Sequence, residues 1–148
     1  REFGVGAGGR VAGKGGVWQR RGGGRTAFWT WLEVRARSDR VQVALTYGSE
    51  DLARNLSVER LAEAARLGRR QFSRVFREET GQSPAKAVER LRVEAARLMM
   101  ETSRHPIEII ARETGFGDRE RMRQAFLRAF GQPPQTIQRA SGVAPLTN

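Results

Sequence analysis

Residues 115–130 read GFGDRERMRQAFLRAF, and about fifty residues earlier 66–81 read RLGRRQFSRVFREETG. Each stretch opens on a turn with glycine, then sets arginine on one side of a run and Phe, Val or Met on the other. The echo extends in register. Val58, Ala62, Ala65 and Leu67 map onto Ile107, Ala111, Thr114 and Phe116 at an offset of 49. Phe72, Phe76, Gly81 and Pro84 map onto Met122, Phe126, Gly131 and Pro134 at an offset of 50. One residue has been inserted, at the turn around Gly117-Asp118. Each unit reads as a short helix, a tight turn, an amphipathic helix, then Gly and Pro, the outline of a helix-turn-helix. Its second helix packs by one apolar stripe and offers the opposite face to the major groove of DNA. Two copies are too few for a solenoid, which needs about three.

Working outward, Ser38 with Asp39 in the first turn predicts a helix over about 39–54. Val41, Leu45, Leu52 and Val43 form its imperfect apolar stripe, with Gly48 as a weak point. Ser57 caps a second, short helix carrying Val58, Leu61, Ala62 and Ala65 at helical spacing. The third runs from Arg69 to about Thr80 with Phe72, Val75 and Phe76 on one face, and Gly81 stops it. Ser83-Pro84 is an N-cap followed by Pro at the first helical position, opening a long helix to about Thr102. Val88, Leu91, Ala95, Leu98 and Met99 are expected inward. At 1.5 Å per residue this spacer is roughly 27 Å long, against about 34 Å between major grooves on one face of B-DNA. His105-Pro106 opens a fifth helix. Asp118 caps the sixth, over about 119–130, with Met122, Ala125, Phe126, Ala129 and Phe130 inward. Pro133-Pro134 starts a last turn. The expected fold is all-α: two helix-turn-helix subdomains joined by a long linker helix, about seven helices over 39–141, with 142–148 as a C-terminal tail.

The remaining quarter differs in texture. Residues 1–38 hold eight basic and two acidic side chains and ten of the 17 glycines. Their excess of +6 is about half of the net charge of +11. Glycine at this density costs backbone entropy that nothing here repays by burial, so 1–25 are expected to be disordered. Such a head reads as a linker remnant, a cloning scar, a mistranslated stretch or a non-specific nucleic-acid-binding tail. FWTWLEV (28–34) is open between a docking strand, a helix and the end of a missing domain. Charge of this sign favours polyanions, nucleic acid before a membrane surface.

Several chemistries lack their residues. There is no cysteine and a single histidine, His105, so neither a thiolate metal site nor a His cluster can be built. His105 is expected to face solvent or help cap a helix. No catalytic residue, metal or cofactor is expected: no acid pair has a supporting base, and the glycines of 4–16 form no phosphate-binding motif. No apolar run approaches a membrane span.

The segment from SVERLAEAARLGRRQFSRVFREETGQSP through PIEIIARETGFGDRERMRQAFLRAFGQPP, with Arg92 and Ala96 in the helix between, resembles the AraC/XylS transcription-regulator DNA-binding domain. The resemblance covers about 40–140, and its strongest element is Ile110-Ala111, Gly115-Phe116, Phe126, Phe130-Gly131 and Pro134. It implies double-stranded promoter DNA and RNA polymerase as partners, in the bacterial cytosol and nucleoid. It also implies base-reading positions at Arg70, Ser73 and Arg74 in the first unit and Arg119, Glu120, Arg123 and Gln124 in the second. Arg reads guanine, Gln adenine, and Glu accepts from cytosine. Arg69, Arg77, Arg121 and Arg128 suit phosphates. Two departures stand out: Gly68 replaces the usual serine cap, and Arg70 makes a second consecutive arginine. PAKAVERLRVEAAR is similar to the subgroup carrying an amidotransferase-like (DJ-1/PfpI) N-terminal sensor. Residues 1–38 are too short for that domain, so the chain reads as a C-terminal piece of a longer regulator or a truncated relic.

Overall fold

A computed structural model describes residues 26–142, and the expected disorder of 1–25 and most of the tail at 142–148 lie outside them. Among the described residues there are nine helices and no strand. They are α1 (Ala27–Arg35), α2 (Asp39–Glu50), α3 (Leu52–Asn55), α4 (Val58–Ala64), α5 (Arg69–Thr80), α6 (Pro84–Thr102), α7 (Ile107–Glu113), α8 (Arg119–Phe130) and α9 (Pro134–Ala140). Two exceed the expected seven. The helix anticipated over 39–54 breaks at Asp51, whose extended backbone makes it the cap of α3, accepting from the Arg54 N–H. A carboxylate one residue before Leu52 competes with helix continuation by offering the backbone a local partner.

The other addition is α1. Thr26 caps it, accepting from the Trp29 N–H, and Phe28, Trp29 and Leu32 are buried. The three aromatics of 28–34 therefore belong to a helix packed on the first subdomain, upstream of the expected start at 39. Two glutamates on other helices hold it and the connection that follows it. Glu94 of α6 accepts from the Phe28 N–H at 3.2 Å. Glu79, near the end of α5, accepts from the Arg37 and Ser38 N–H groups at 2.8 and 3.0 Å. Arg90 of α6 covers the Phe28 ring at 4.1 Å.

Serine and aspartate caps fall where the sequence puts them. Ser38, Ser57, Ser83 and Asp118 each accept from the N–H three residues on. Gly68 offers α5 no side-chain cap. Gly81 and Gly131 end α5 and α8 in the left-handed conformation, with φ of 76° and 73°.

Two hydrophobic cores meet on α6. Ala87, Val88, Leu91 and Ala95 enter the first, with α1, α2, α4 and α5. Val93, Ala96, Met99 and Met100 enter the second, with α7, α8 and α9. The "inward" stripe expected on this helix is thus two stripes with different interiors. Leu98 falls between them and is half-buried, and Ala129, expected inward on α8, is exposed. Val43 is also exposed, at 52%. Gly48 is no weak point. A Cβ there would lie 3.0 Å from Leu61 and 3.3 Å from Leu56, so its bareness lets α2 lie close against α4.

The subdomains also touch directly. A Cβ on Gly115 would sit 2.8 Å from the Leu52 carbonyl oxygen and 3.1 Å from Arg92 Nε. Arg92 of α6 donates from Nη2 to the Leu56 carbonyl at 2.5 Å. Burial pushes its pKa down, and the charge of Arg121 adds to that. One linker side chain therefore reaches the end of α3 on one side and the α7–α8 turn on the other.

Candidate nucleic-acid interface

The repeat read from side-chain register recurs in the hydrogen bonds. In the first unit the Arg66 N–H donates to Glu63 O and the Leu67 N–H to Ala62 O, at 3.0 Å each. In the second the Gly115 N–H donates to Arg112 O at 3.2 Å and the Phe116 N–H to Ala111 O at 3.0 Å. These are the same bonds 49 residues on. The inserted residue is Gly117, whose N–H makes an additional bond to Ala111 O at 3.1 Å. Arg66 and Gly115 hold the same place in the turn, both left-handed, at φ 60° and 90°.

An ion pair repeats as well. Arg69, at the start of α5, is paired with Glu59 of α4. Arg119, at the start of α8, is paired with Glu108 of α7 at 2.9 Å. Its own backbone N–H first, and the Arg119 charge next, hold the Glu108 carboxyl below the ordinary range. Arg69 and Arg119 are therefore equivalent positions, each tying a second helix to its first. The repeat itself was legible in sequence, but this pairing was not, because side chains ten and eleven residues apart meet only once the turn is closed.

The outer faces of α5 and α8 carry the expected residues. On α5, Phe72 and Phe76 are buried, whereas Arg69, Arg70, Arg74 and Arg77 are exposed and Ser73 is half-buried. Arg70 and Arg77 have no ion pair among the described residues, and Arg74 stands 3.7 Å from Glu78. Arg69, Ser73, Arg74 and Arg77 line one shallow cleft with Ser83, Pro84 and Ala85 at the start of α6. The first turn of a helix adds positive potential there.

On α8, Met122, Ala125 and Phe126 are buried, and Arg119, Glu120, Arg121, Arg123 and Gln124 are exposed. This face is cross-linked. Glu120 accepts from Arg123 Nε and Nη2 at 3.0 and 3.1 Å and from Gln124 Nε2 at 2.8 Å. These donors, Arg123 first and then Gln124, pull the Glu120 carboxyl down to about 2. Arg128 makes a two-pronged pair with Glu89 of α6 at 3.1 and 2.8 Å. Arg121 is the loosest, with Nε 4.0 Å from Asp118. His105 lies half-buried, its carbonyl accepting from Gln138. No group of three or more His, Cys, Asp or Glu able to hold a metal occurs among the described residues.

Two helix pairs closed by the same turn, each presenting an arginine-bearing second helix, define a helix-turn-helix DNA-binding domain. Residues 61–140 match the family model described as "Helix-turn-helix domain", and the chain belongs to the AraC-type helix-turn-helix family. The HTH-type transcriptional regulator Rv1931c of Mycobacterium tuberculosis is 41% identical over 80 residues, 54% of this chain and 31% of that protein. The arabinose operon regulatory protein of Escherichia coli is 31% identical over 97 residues, 65% of this chain and 33% of that protein. The matched region thus spans about a third of these relatives. The DNA-binding domain of AdpA, a global transcriptional factor solved with a target DNA, superposes with a TM-score of 0.64 at 32% identity. That match covers 70% of this chain and 93% of the AdpA chain. The C-terminal domain of AraT, a response regulator from Geobacillus stearothermophilus, shares the fold at a TM-score of 0.62 and 22% identity, over 75% of this chain and 90% of that one.

Proposed function

We propose that the chain binds double-stranded promoter DNA sequence-specifically to regulate transcription, with α5 and α8 entering successive major grooves. The observation that carries this is the doubled unit. The same turn bonds and the same inter-helix ion pair recur on both sides of one 19-residue helix. Two readers held by a stiff spacer replace the dimer that simpler helix-turn-helix proteins use. Arg70, Ser73 and Arg74 read bases from α5, and Arg123 and Gln124 from α8. Arg69, Arg77, Arg121 and Arg128 neutralise phosphates. Arg119, expected as a base reader, fits better beside Arg69, since the two occupy equivalent, tethered positions. The proposal extends to the bacterial cytosol, to RNA polymerase as partner, and to a sensor domain in a longer protein.

Selection of bound sequences from a random DNA pool tests it. Enrichment of two unlike half-sites about 10 base pairs apart is expected; recovery of no preferred sequence overturns it. Removing residues 1–25 separates this reading from binding by the Gly/Arg head. The cut must stop before Thr26, because Phe28, Trp29 and Leu32 belong to the first core. Specific binding that survives the cut, and falls on charge reversal in α8, supports groove reading. The opposite pattern assigns binding to the head.

A further inference from the structure

Glu120 was expected to read a base, because an exposed carboxylate on a recognition helix accepts from cytosine N4. Its geometry says otherwise. Both carboxylate oxygens are already occupied, one by Arg123 Nε and the other by Arg123 Nη2 and Gln124 Nε2, at 2.8–3.1 Å. An arginine has five N–H donors in a planar fork. Two face Glu120 along the Nε–Nη2 side. The opposite pair, one hydrogen each on Nη1 and Nη2, stays free, and it matches guanine O6 and N7. Gln124 likewise keeps its carbonyl and one N–H, the pair that adenine requires.

We infer that Glu120 is a positioning residue: it sets specificity in the second half-site by locking Arg123 and Gln124 into one reading arrangement, without contacting a base itself. Ordering long side chains on binding costs rotamer entropy, and pre-organisation removes that cost. The first unit has no equivalent clamp: the carboxylate beside a reader there, Glu78, stands 3.7 Å from Arg74, beyond hydrogen-bond distance. At the offset of 50, Glu120, Arg123 and Gln124 correspond to Arg70, Ser73 and Arg74, and Arg70 has no ion pair among the described residues. The α8 reader is rigid and selective, and the α5 reader adapts. This inference rests on the groove-reading proposal above.

The test uses the full 148-residue chain, with random-pool selection followed by binding to single-base-pair variants of the selected site. Wild type, Glu120→Ala, Arg123→Ala and the double variant are compared. Expected is that Glu120→Ala weakens discrimination at the base pair that Arg123→Ala also affects, by about fivefold or more, the lower end for one bidentate pair. In the Arg123→Ala background, removing Glu120 then adds nothing at that base pair. Discrimination at the α5 half-site stays as in wild type throughout. Affinity for random DNA holds or rises, since a negative charge leaves the DNA-facing side. Losses that add, or that fall on a different base pair, mean Glu120 reads a base directly and overturn the inference. Loss at both half-sites means the substitution damages the fold, and also overturns it. A wild-type chain with no sequence preference instead fails the groove-reading proposal, a separate and recognisable result.

Discussion

Arg66 and Gly115 sit at one place in two copies of a turn, and one is arginine while the other is glycine. Both are left-handed, so backbone conformation alone does not demand the glycine. The close Leu52 carbonyl does, at 2.8 Å from where a Cβ would lie. Gly117 provides the control, with φ 93° and nothing within 4 Å. Gly115→Ala and Gly117→Ala both incur the left-handed penalty, about 1–3 kcal/mol, and Gly115→Ala is expected to be clearly the worse of the two in chemical denaturation. Equal losses would remove the steric role assigned to the inter-subdomain contact. Glu120 gives a second residue-scale prediction. Its folded carboxyl titrates at about 2, below the unfolded value near 4.3. Its link to Arg123 is therefore fully present above the unfolded value and lost as pH falls through the folded one. Carboxyl-carbon NMR should place its midpoint near 2, and a midpoint above 4 would deny the clamp. Most exposed positions on α5 and α8 were legible as such, because apolar spacing fixes which side is outward; Ala129 was not, since an alanine sits as easily on either side. Glu120's engagement was not, since period and propensity say nothing about which outward side chains grip one another.

Helix boundaries follow the same division. α5, α6 and α8 match expectation to the residue: Ser83 and Asp118 cap the starts of α6 and α8, glycine ends α5 and α8, and the tight turn before Arg69 sets the start of α5. α1 was missed as a definite helix because its aromatics run nearly all round it. With no apolar face to detect, what it packs on emerges only from the assembled first core and from polar partners such as Glu94 and Arg90, which lie more than sixty residues away. Leu32 is fully buried in the first core, so Leu32→Ala should cost about 2–5 kcal/mol of stability, read by thermal or urea unfolding. A cost under about 0.5 kcal/mol would mean α1 only rests on the subdomain. Glu79→Ala should leave the helices folded while speeding hydrogen exchange at the Arg37 and Ser38 amides, which lose their acceptor. Unchanged exchange would show that the carboxylate does not hold that connection in solution.

For the molecule as a whole, the two cores sharing α6 and the Arg92 reach across their junction couple the placement of α5 to that of α8. If it engages about 6–10 phosphates, affinity should fall about 10³–10⁵-fold between 50 and 200 mM salt; a flat profile, measured by fluorescence anisotropy, would count against groove binding. The doubled plan was readable because it is written mostly in buried residues, at an offset of 49 before the turn and 50 after it. The direct contact between subdomains was not, since it rests on a backbone oxygen that no side-chain pattern reports.

The inequality of the two units has one more consequence. A protein that binds as a symmetric pair sees the same thing from either end of a palindrome. If Arg70, Ser73 and Arg74 on α5 and Arg123 and Gln124 on α8 read bases as proposed, two unlike readers meet the DNA and the target has a head and a tail. Inverting that site in a promoter, without changing its centre, would turn the protein end for end and present the opposite flank to whatever is bound next door.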